Sequence, residues 1–362
     1  MRLLLAGGGT GGHLFPAIAL AEQLRQEQPE SEVLFVGTEQ GLEFRLLPQL
    51  GWPLRTVTMS GFAGLSLRKR LLALQRLLRG VGQARKILRE FRPDLVAGFG
   101  GYASVPTLLA ARLHGTPFVI HEQNAWPGLA NRLLGRWARR VCLSFADADR
   151  AFHHAATALT GNPVRSSMTT CPIAAADQPC LLVFGGSRGA RAINQALLAA
   201  LPGLEAWRGR LRIVHQTGAE DRQATAEAYQ LHGWGDVEVT PFITDMGQAY
   251  AGATLVVCRA GATTLAELTV CGRPAILIPY PHATGSHQRD NAAALVSKGA
   301  ALMFEERDLR PEDLARVIDD LLREQATLQH MANTARSLGR PDAAARLLAE
   351  CRAVLAENQR GR

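Results

Sequence analysis

Residues 2–13 read RLLLAGGGTGGH and residues 180–190 read CLLVFGGSRGA. Each is an apolar run of strand length, then a cluster of glycines, then a helical pattern. The phrase occurs once at the start of the 362-residue chain and once near its midpoint. A glycine-rich turn between strand and helix exposes backbone N–H groups and aims a helix start outward, which suits an anion. One such turn per half predicts two phosphate-handling α/β lobes facing each other across a cleft.

The rest of the chain keeps the same rhythm. Short apolar runs at 3–6, 33–36, 95–97, 118–120 and 141–143 alternate with amphipathic stretches, and a second series runs through 181–184, 211–214, 237–239, 255–257 and 275–278. Alternation of this kind predicts βαβ units and parallel sheets covered on both faces. The pattern lapses at 161–178, GNPVRSSMTTCPIAAADQ, which places the junction near Pro163. The expected division is residues 1–162 and 163–341, with an amphipathic helix over 342–358 crossing back to brace the first domain.

The 47% hydrophobic and 20% charged composition is that of a globular chain with ample core. No apolar run reaches the roughly 18–20 residues of a spanning helix, and the first residues lack a secretory pattern. Six scattered cysteines without metal-ligand spacing argue for a reducing compartment and against zinc. The net charge of +8 is concentrated. Arg68, Lys69, Arg70, Arg76, Arg79, Arg85, Lys86, Arg89 and Arg92 stand against only Glu90, with Leu67, Leu71, Leu74, Leu78 and Val81 recurring at helical spacing. This reads either as a surface helix packed on its leucines with a solvated basic face, or as a patch meeting anionic lipid. No aromatic interleaving or nucleic-acid motif accompanies it, so nucleic acid is not the expected partner.

Gly7, Gly9 and Gly12 satisfy GxGxxG, which alone would admit a dinucleotide-binding oxidoreductase, with Glu39 near the position of a ribose carboxylate. His13 at the mouth of the loop either caps local backbone or serves as a general base. GFGGY at 98–102 and HEQN at 121–124 also follow strands, so all three segments converge on one sheet edge. In the second half, CRAGATTLAEL at 258–268 sets Thr263 and Thr264 at a helix start with Glu267 one turn on. It reads as a phosphate-and-ribose cradle or as a plain Thr264–Glu267 capping box. Gln288 and Asn291 carry amides suited to sugar hydroxyls. Asp147 and Asp149 form a DxD, a motif short enough to arise by chance, and no metal site is expected from it.

Eight blocks occur together and in order: GGGTGGH, GFGGY, HEQN, GNPVR, FGGSRGA, FITDM, CRAGATTLAEL and HQRDNA. The chain closely resembles the MurG family, which transfers N-acetylglucosamine from UDP-N-acetylglucosamine to lipid I, undecaprenyl-pyrophosphoryl-MurNAc-pentapeptide, to form lipid II. The resemblance implies a glycosyltransferase B fold of two Rossmann-like domains, inversion at the sugar, no cofactor or catalytic metal, and a peripheral place on the cytoplasmic face of the inner membrane. It implies donor contacts from Thr10, Gly11, Gly12 and Asn124, with Arg165 and Ser187 beside the diphosphate and the Ile243 backbone on uracil. Ala262, Thr263, Thr264, Leu265, Ala266 and Glu267 would wrap phosphate and ribose, and Gln288 and Asn291 would reach the sugar. Arg188 stands where family members often carry glutamine. His13 is the expected base for the acceptor 4-hydroxyl, with Glu122 the alternative. The glycine loops would then hold the acceptor pyrophosphate, and the basic segment would meet the membrane. A nicotinamide-dependent oxidoreductase, a sugar-nucleotide 2-epimerase and a non-catalytic membrane scaffold are the rival readings.

Overall fold

The computed structural model describes residues 1–59, 67–169, 171, 178–186, 189–283 and 286–360, the side chains of 67–71 excepted. Ser187 and Arg188 therefore lie outside the described residues. The chain forms two compact units, Met1–Ser166 with Arg340–Arg362, and Ser167–Gly339.

The first unit is built on seven parallel strands: β1 (Arg2–Ala6), β2 (Glu32–Gly37), β3 (Leu54–Thr56), β4 (Leu95–Gly98), β5 (Phe118–Glu122), β6 (Arg140–Leu143) and β7 (Thr157–Leu159). Their order is β3-β2-β1-β4-β5-β6-β7. Leu3 and Leu5 bury themselves on one face of the sheet, Leu4 and Ala6 on the other. That is why β1 has no polar alternate positions: a parallel strand is covered on both sides. The helix Ala343–Arg360 belongs to this unit. It inserts Leu347, Leu348, Cys351 and Val354 beside Leu14, Leu20 and Leu24. Arg352 pairs with Glu27 at 2.5 Å, and Arg140 with Glu350 at 3.2 Å.

The second unit has six parallel strands: β8 (Cys180–Phe184), β9 (Arg212–Gln216), β10 (Glu238–Thr240), β11 (Leu255–Cys258), β12 (Ala275–Leu277) and β13 (Ala301–Met303). Their order is β10-β9-β8-β11-β12-β13. In both sheets the winding direction reverses between two central strands, β1 and β4 in one, β8 and β11 in the other. Ligands of open α/β sheets bind in the crevice at such a reversal. The four glycine-bearing motifs GGGTGGH, GFGGY, FGGSRGA and CRAGATT each follow one of those four strands.

Three edge strands, β3, β7 and β13, are only three residues each, too short to stand out by periodicity. The basic helix, Leu67–Phe91, departs further from expectation. Its buried face is Ala73, Gly80, Ala84 and Leu88, whereas Leu72, Leu74 and Leu78 are exposed, Leu78 by 66%. Close approach decides this: a Cβ on Gly80 would sit 2.5 Å from the Thr58 carbonyl oxygen and 3.2 Å from Pro106. Small residues let the helix press onto its neighbours, and two of the leucines expected in the core, Leu74 and Leu78, are left among the arginines.

Candidate active site

The first glycine loop is held from beneath by a side chain that the sequence did not single out. Glu43, wholly buried, takes the Gly9 N–H at 2.7 Å on one oxygen and the Thr38 N–H at 2.8 Å and hydroxyl at 3.1 Å on the other. Glu39, the expected ribose carboxylate, is exposed and lies 3.5 Å from the Thr56 hydroxyl. Beyond the loop, helix Gly11–Glu27 begins at an exposed Thr10 whose side chain makes no capping bond. Gly11 and Gly12 form its first turn, where N–H groups point out of the helix.

His13 is half-buried against the second glycine loop. A Cβ on Gly100 would lie 3.1 Å from its Nδ1, and one on Gly101 3.3 Å from its Cδ2. Both glycines have positive φ, +80° and +72°, and Gly101 also backs onto the Gly8 carbonyl. The GFGGY glycines thus serve tight turning and the seating of the His13 imidazole. A buried chain of hydrogen bonds ties the same loop to two other motifs. Gln123 Nε2 donates to Phe99 O at 2.8 Å and to His121 Nδ1 at 3.2 Å, and His121 Nε2 reaches Gly161 O at 3.0 Å. Neutral imidazole satisfies this arrangement, and burial pushes the His121 pKa down to about 4.

Glu122 is unsuited to abstracting a proton. One oxygen accepts from Asn124 N at 3.0 Å and Asn124 Nδ2 at 3.1 Å. The other accepts from Gly128 N at 3.3 Å and Asn131 Nδ2 at 2.8 Å. Its lone pairs are committed to orienting Asn124 and the loop that follows. Arg165 stacks its guanidinium 4.8 Å from the Phe15 ring centroid, on the helix that carries His13. The DxD acids are also committed locally. Asp147 pairs with Arg150 at 2.7 Å and Asp149 accepts from Thr157 at 2.5 Å. Among the described residues no group of three potential metal ligands occurs.

In the second unit, helix Ala262–Cys271 starts from Gly261 as N-cap, with no side-chain cap. Thr263 and Thr264 therefore occupy the first turn, and Glu267 lies too far into the helix for a capping box, which removes the plain reading of that motif. The buried Tyr250 hydroxyl donates to Glu267 Oε2 at 3.1 Å, fixing the carboxylate. The charge beside it joins burial in holding the Tyr250 pKa well up. Ala262, Leu265 and Ala266 carry the turn, Leu265 packed inward.

Gln216, at the end of β9, donates to Gly186 O at 2.7 Å and accepts from Ile243 N at 2.8 Å. It joins the FGGSRGA loop to FITDM and occupies the Ile243 N–H. Behind it, His215 bridges Tyr229 and Asn194, each at 3.0 Å, and burial lowers its pKa to about 3. Arg259 of CRAG bonds the Ile278 and Pro279 carbonyls and pairs with Glu306 at 2.5 Å, locking two loops together. Gln288 accepts from Tyr280 N at 2.9 Å, while Asn291 is wholly buried and reaches Ala260 O at 3.4 Å. Glu43 and Gln216 were invisible to motif reading because each is a lone polar residue bonded mainly to backbone of other segments; Arg259 sits inside the CRAGATTLAEL block, but its partners, the Ile278 and Pro279 carbonyls and Glu306, lie outside it.

Residues 3–143 match the glycosyltransferase family 28 N-terminal domain, and residues 180–347 its C-terminal domain. The chain belongs to glycosyltransferase family 28. Two family relatives share the name UDP-N-acetylglucosamine–N-acetylmuramyl-(pentapeptide) pyrophosphoryl-undecaprenol N-acetylglucosamine transferase. That of Syntrophotalea carbinolica is 58% identical, covering 99% of this chain and 100% of the relative. That of a Geobacter species is 50% identical, covering 99% and 97%. The crystal structure of Acinetobacter baumannii MurG superposes with a TM-score of 0.79 at 35% identity, covering 97% of this chain and 99% of that one. The family 28 chain thus has the glycosyltransferase B fold and is a hexosyltransferase. A putative UDP-N-acetylglucosamine 2-epimerase from Listeria monocytogenes, at 16% identity and a TM-score of 0.72, shares the fold alone.

Proposed function

We propose that the chain moves N-acetylglucosamine from UDP-N-acetylglucosamine to the 4-hydroxyl of the N-acetylmuramyl sugar of lipid I, forming lipid II for peptidoglycan. The observation that carries the reading is the uncapped helix start at Ala262–Cys271, with two threonines in its first turn and a fixed carboxylate one turn on. N–H groups and hydroxyls there suit a diphosphate, and Glu267 suits the ribose hydroxyls. Because Gln216 holds the Ile243 N–H, the Ile243 carbonyl is the backbone group left for uracil. Gln288 is the nearer candidate for the sugar. Asn291, buried against Ala260, acts by holding the segment that leads into helix Ala262–Cys271.

The transfer is one displacement with inversion. The acceptor oxygen forms the new bond to the sugar carbon as the bond to UDP breaks. His13 takes the hydroxyl proton, and the helix start and Arg165 stabilise the charge that leaves with UDP. Thr10, Gly11, Gly12 and Asn124 meet the reacting sugar of the donor beside His13. Ser187 contributes at the diphosphate.

We place the enzyme peripherally on the cytoplasmic face of the inner membrane. No helix of the described residues is long and apolar enough to cross a membrane. The exposed Leu72, Leu74 and Leu78 alternate with exposed Arg76 and Arg79, a composition suited to anionic headgroups over acyl chains. Exposed Trp126, Leu129, Leu133 and Trp137 beside Arg136 add a second surface of that kind. The test is thermal unfolding with UDP-N-acetylglucosamine or NAD, followed by turnover with a short-chain acceptor. Protection by the UDP-sugar and transfer to the acceptor are expected. Protection by NAD alone, or conversion of the donor without acceptor, overturns the reading.

A further inference from the structure

The first glycine loop has the spacing of a phosphate cradle, yet the protein supplies its own anion there. In GxGxxG the second glycine lets backbone approach a pyrophosphate; here that glycine is Gly9, and its N–H is bonded to Glu43 at 2.7 Å. The seat is moulded to the carboxylate. A Cβ on Gly8, Gly37 or Gly41 would fall 2.0–2.4 Å from Glu43 atoms, so three glycines in two segments are cut away around one side chain. The other Glu43 oxygen fixes Thr38, at the end of β2. The Gly8 carbonyl in turn backs Gly101, whose loop seats His13.

We infer that Glu43 is the positioning residue of the transfer site: its carboxylate fills the phosphate seat of the first glycine loop, presets the loop without ligand and thereby fixes His13. The role assigned to His13 rests on the transferase reading above. A nucleotide pyrophosphate is barred from this loop, and the acceptor pyrophosphate is left to the start of helix Gly11–Glu27. Gln at position 43 offers one acceptor oxygen where two are needed, and sets an amide donor against a donor. Asp is one methylene too short.

Two measurements test this. In the first, Glu43→Gln, Glu43→Asp and the milder Thr38→Val are assayed with UDP-N-acetylglucosamine and a short-chain acceptor. Folded variants should lose kcat, at least about tenfold for Glu43→Gln and about threefold for Thr38→Val, with the dissociation constant for the donor within about twofold of the parent. Undiminished kcat in a folded variant, or an equal loss of donor affinity, overturns the inference. The second needs no turnover and so separates this inference from the transferase reading. Inorganic pyrophosphate is titrated while the Gly9 and Thr38 amide resonances are followed. The unaltered chain should show no saturable shift at either, and Glu43→Ala should show one at both. Saturation of Gly9 in the unaltered chain, or none in Glu43→Ala, refutes the seat.

Discussion

Replacing Glu122 by glutamine separates its structural role from a catalytic one. The carboxylate is almost wholly buried and accepts four hydrogen bonds, two on each oxygen. Glutamine keeps one oxygen and turns an N–H₂ toward the other two donors. Each buried donor left unsatisfied costs about 1–3 kcal/mol. Asn124 is only half-buried and can turn in part to water, so the lower half of the combined range applies, about 3 kcal/mol. In a unit of this size each kcal/mol lowers Tm by about 2–4 °C, so the transition of the first unit should fall by about 6–12 °C. Calorimetry of the full chain reads this, with kcat measured well below the transition. The structural role predicts a large Tm loss, with catalysis reduced only through misplacement of Asn124. A Tm within about 2 °C of the parent, accompanied by near-abolished kcat, would refute the reasoning and make Glu122 the base.

His13→Ala should lower kcat by about 10²–10⁴-fold with little change in donor KM, as removal of a general base does; an unchanged kcat removes His13 from that role. His121 and His215 have folded-state pKa values lowered by burial to about 4 and about 3. Both are neutral in the fold and protonate in the unfolded chain near pH 6.5, so their stability is intact above that pH. It is lost as pH falls toward 4 and 3, with a slope of up to about 1.4 kcal/mol per pH unit for each. Urea denaturation from pH 7 to 4.5 should show this decline, and a flat profile contradicts it. Leu74→Ser with Leu78→Ser, and separately Arg76→Gln with Arg79→Gln, should weaken sedimentation with phosphatidylglycerol vesicles while sparing turnover of a soluble acceptor. Unchanged vesicle binding in both pairs refutes the membrane surface.

The repeated strand–glycine–helix phrase was legible because it has a local cause. A doubly covered parallel strand is continuously apolar, and a sharp turn into a helix needs glycine, so β1, β4, β8 and β11 announce themselves along the chain. Edge strands β3, β7 and β13 do not, because short half-covered strands carry no such constraint. The eight ordered motifs likewise brought the family into view, and the residues at the start of helix Ala262–Cys271 with it.

What each polar group is bonded to was decided only in three dimensions. The carboxylate of Glu43 is a generic surface residue by sequence; burial under three glycines makes it the loop's anion. Glu122 reads as a candidate base until its four donors are counted. The leucines of helix Leu67–Phe91 read as a core face until the close approach at Gly80 selects Ala73 and Ala84 for the inside. Periodicity records which residues can share a face. Contacts between segments far apart in the chain decide which face is buried and which oxygen is still available to react.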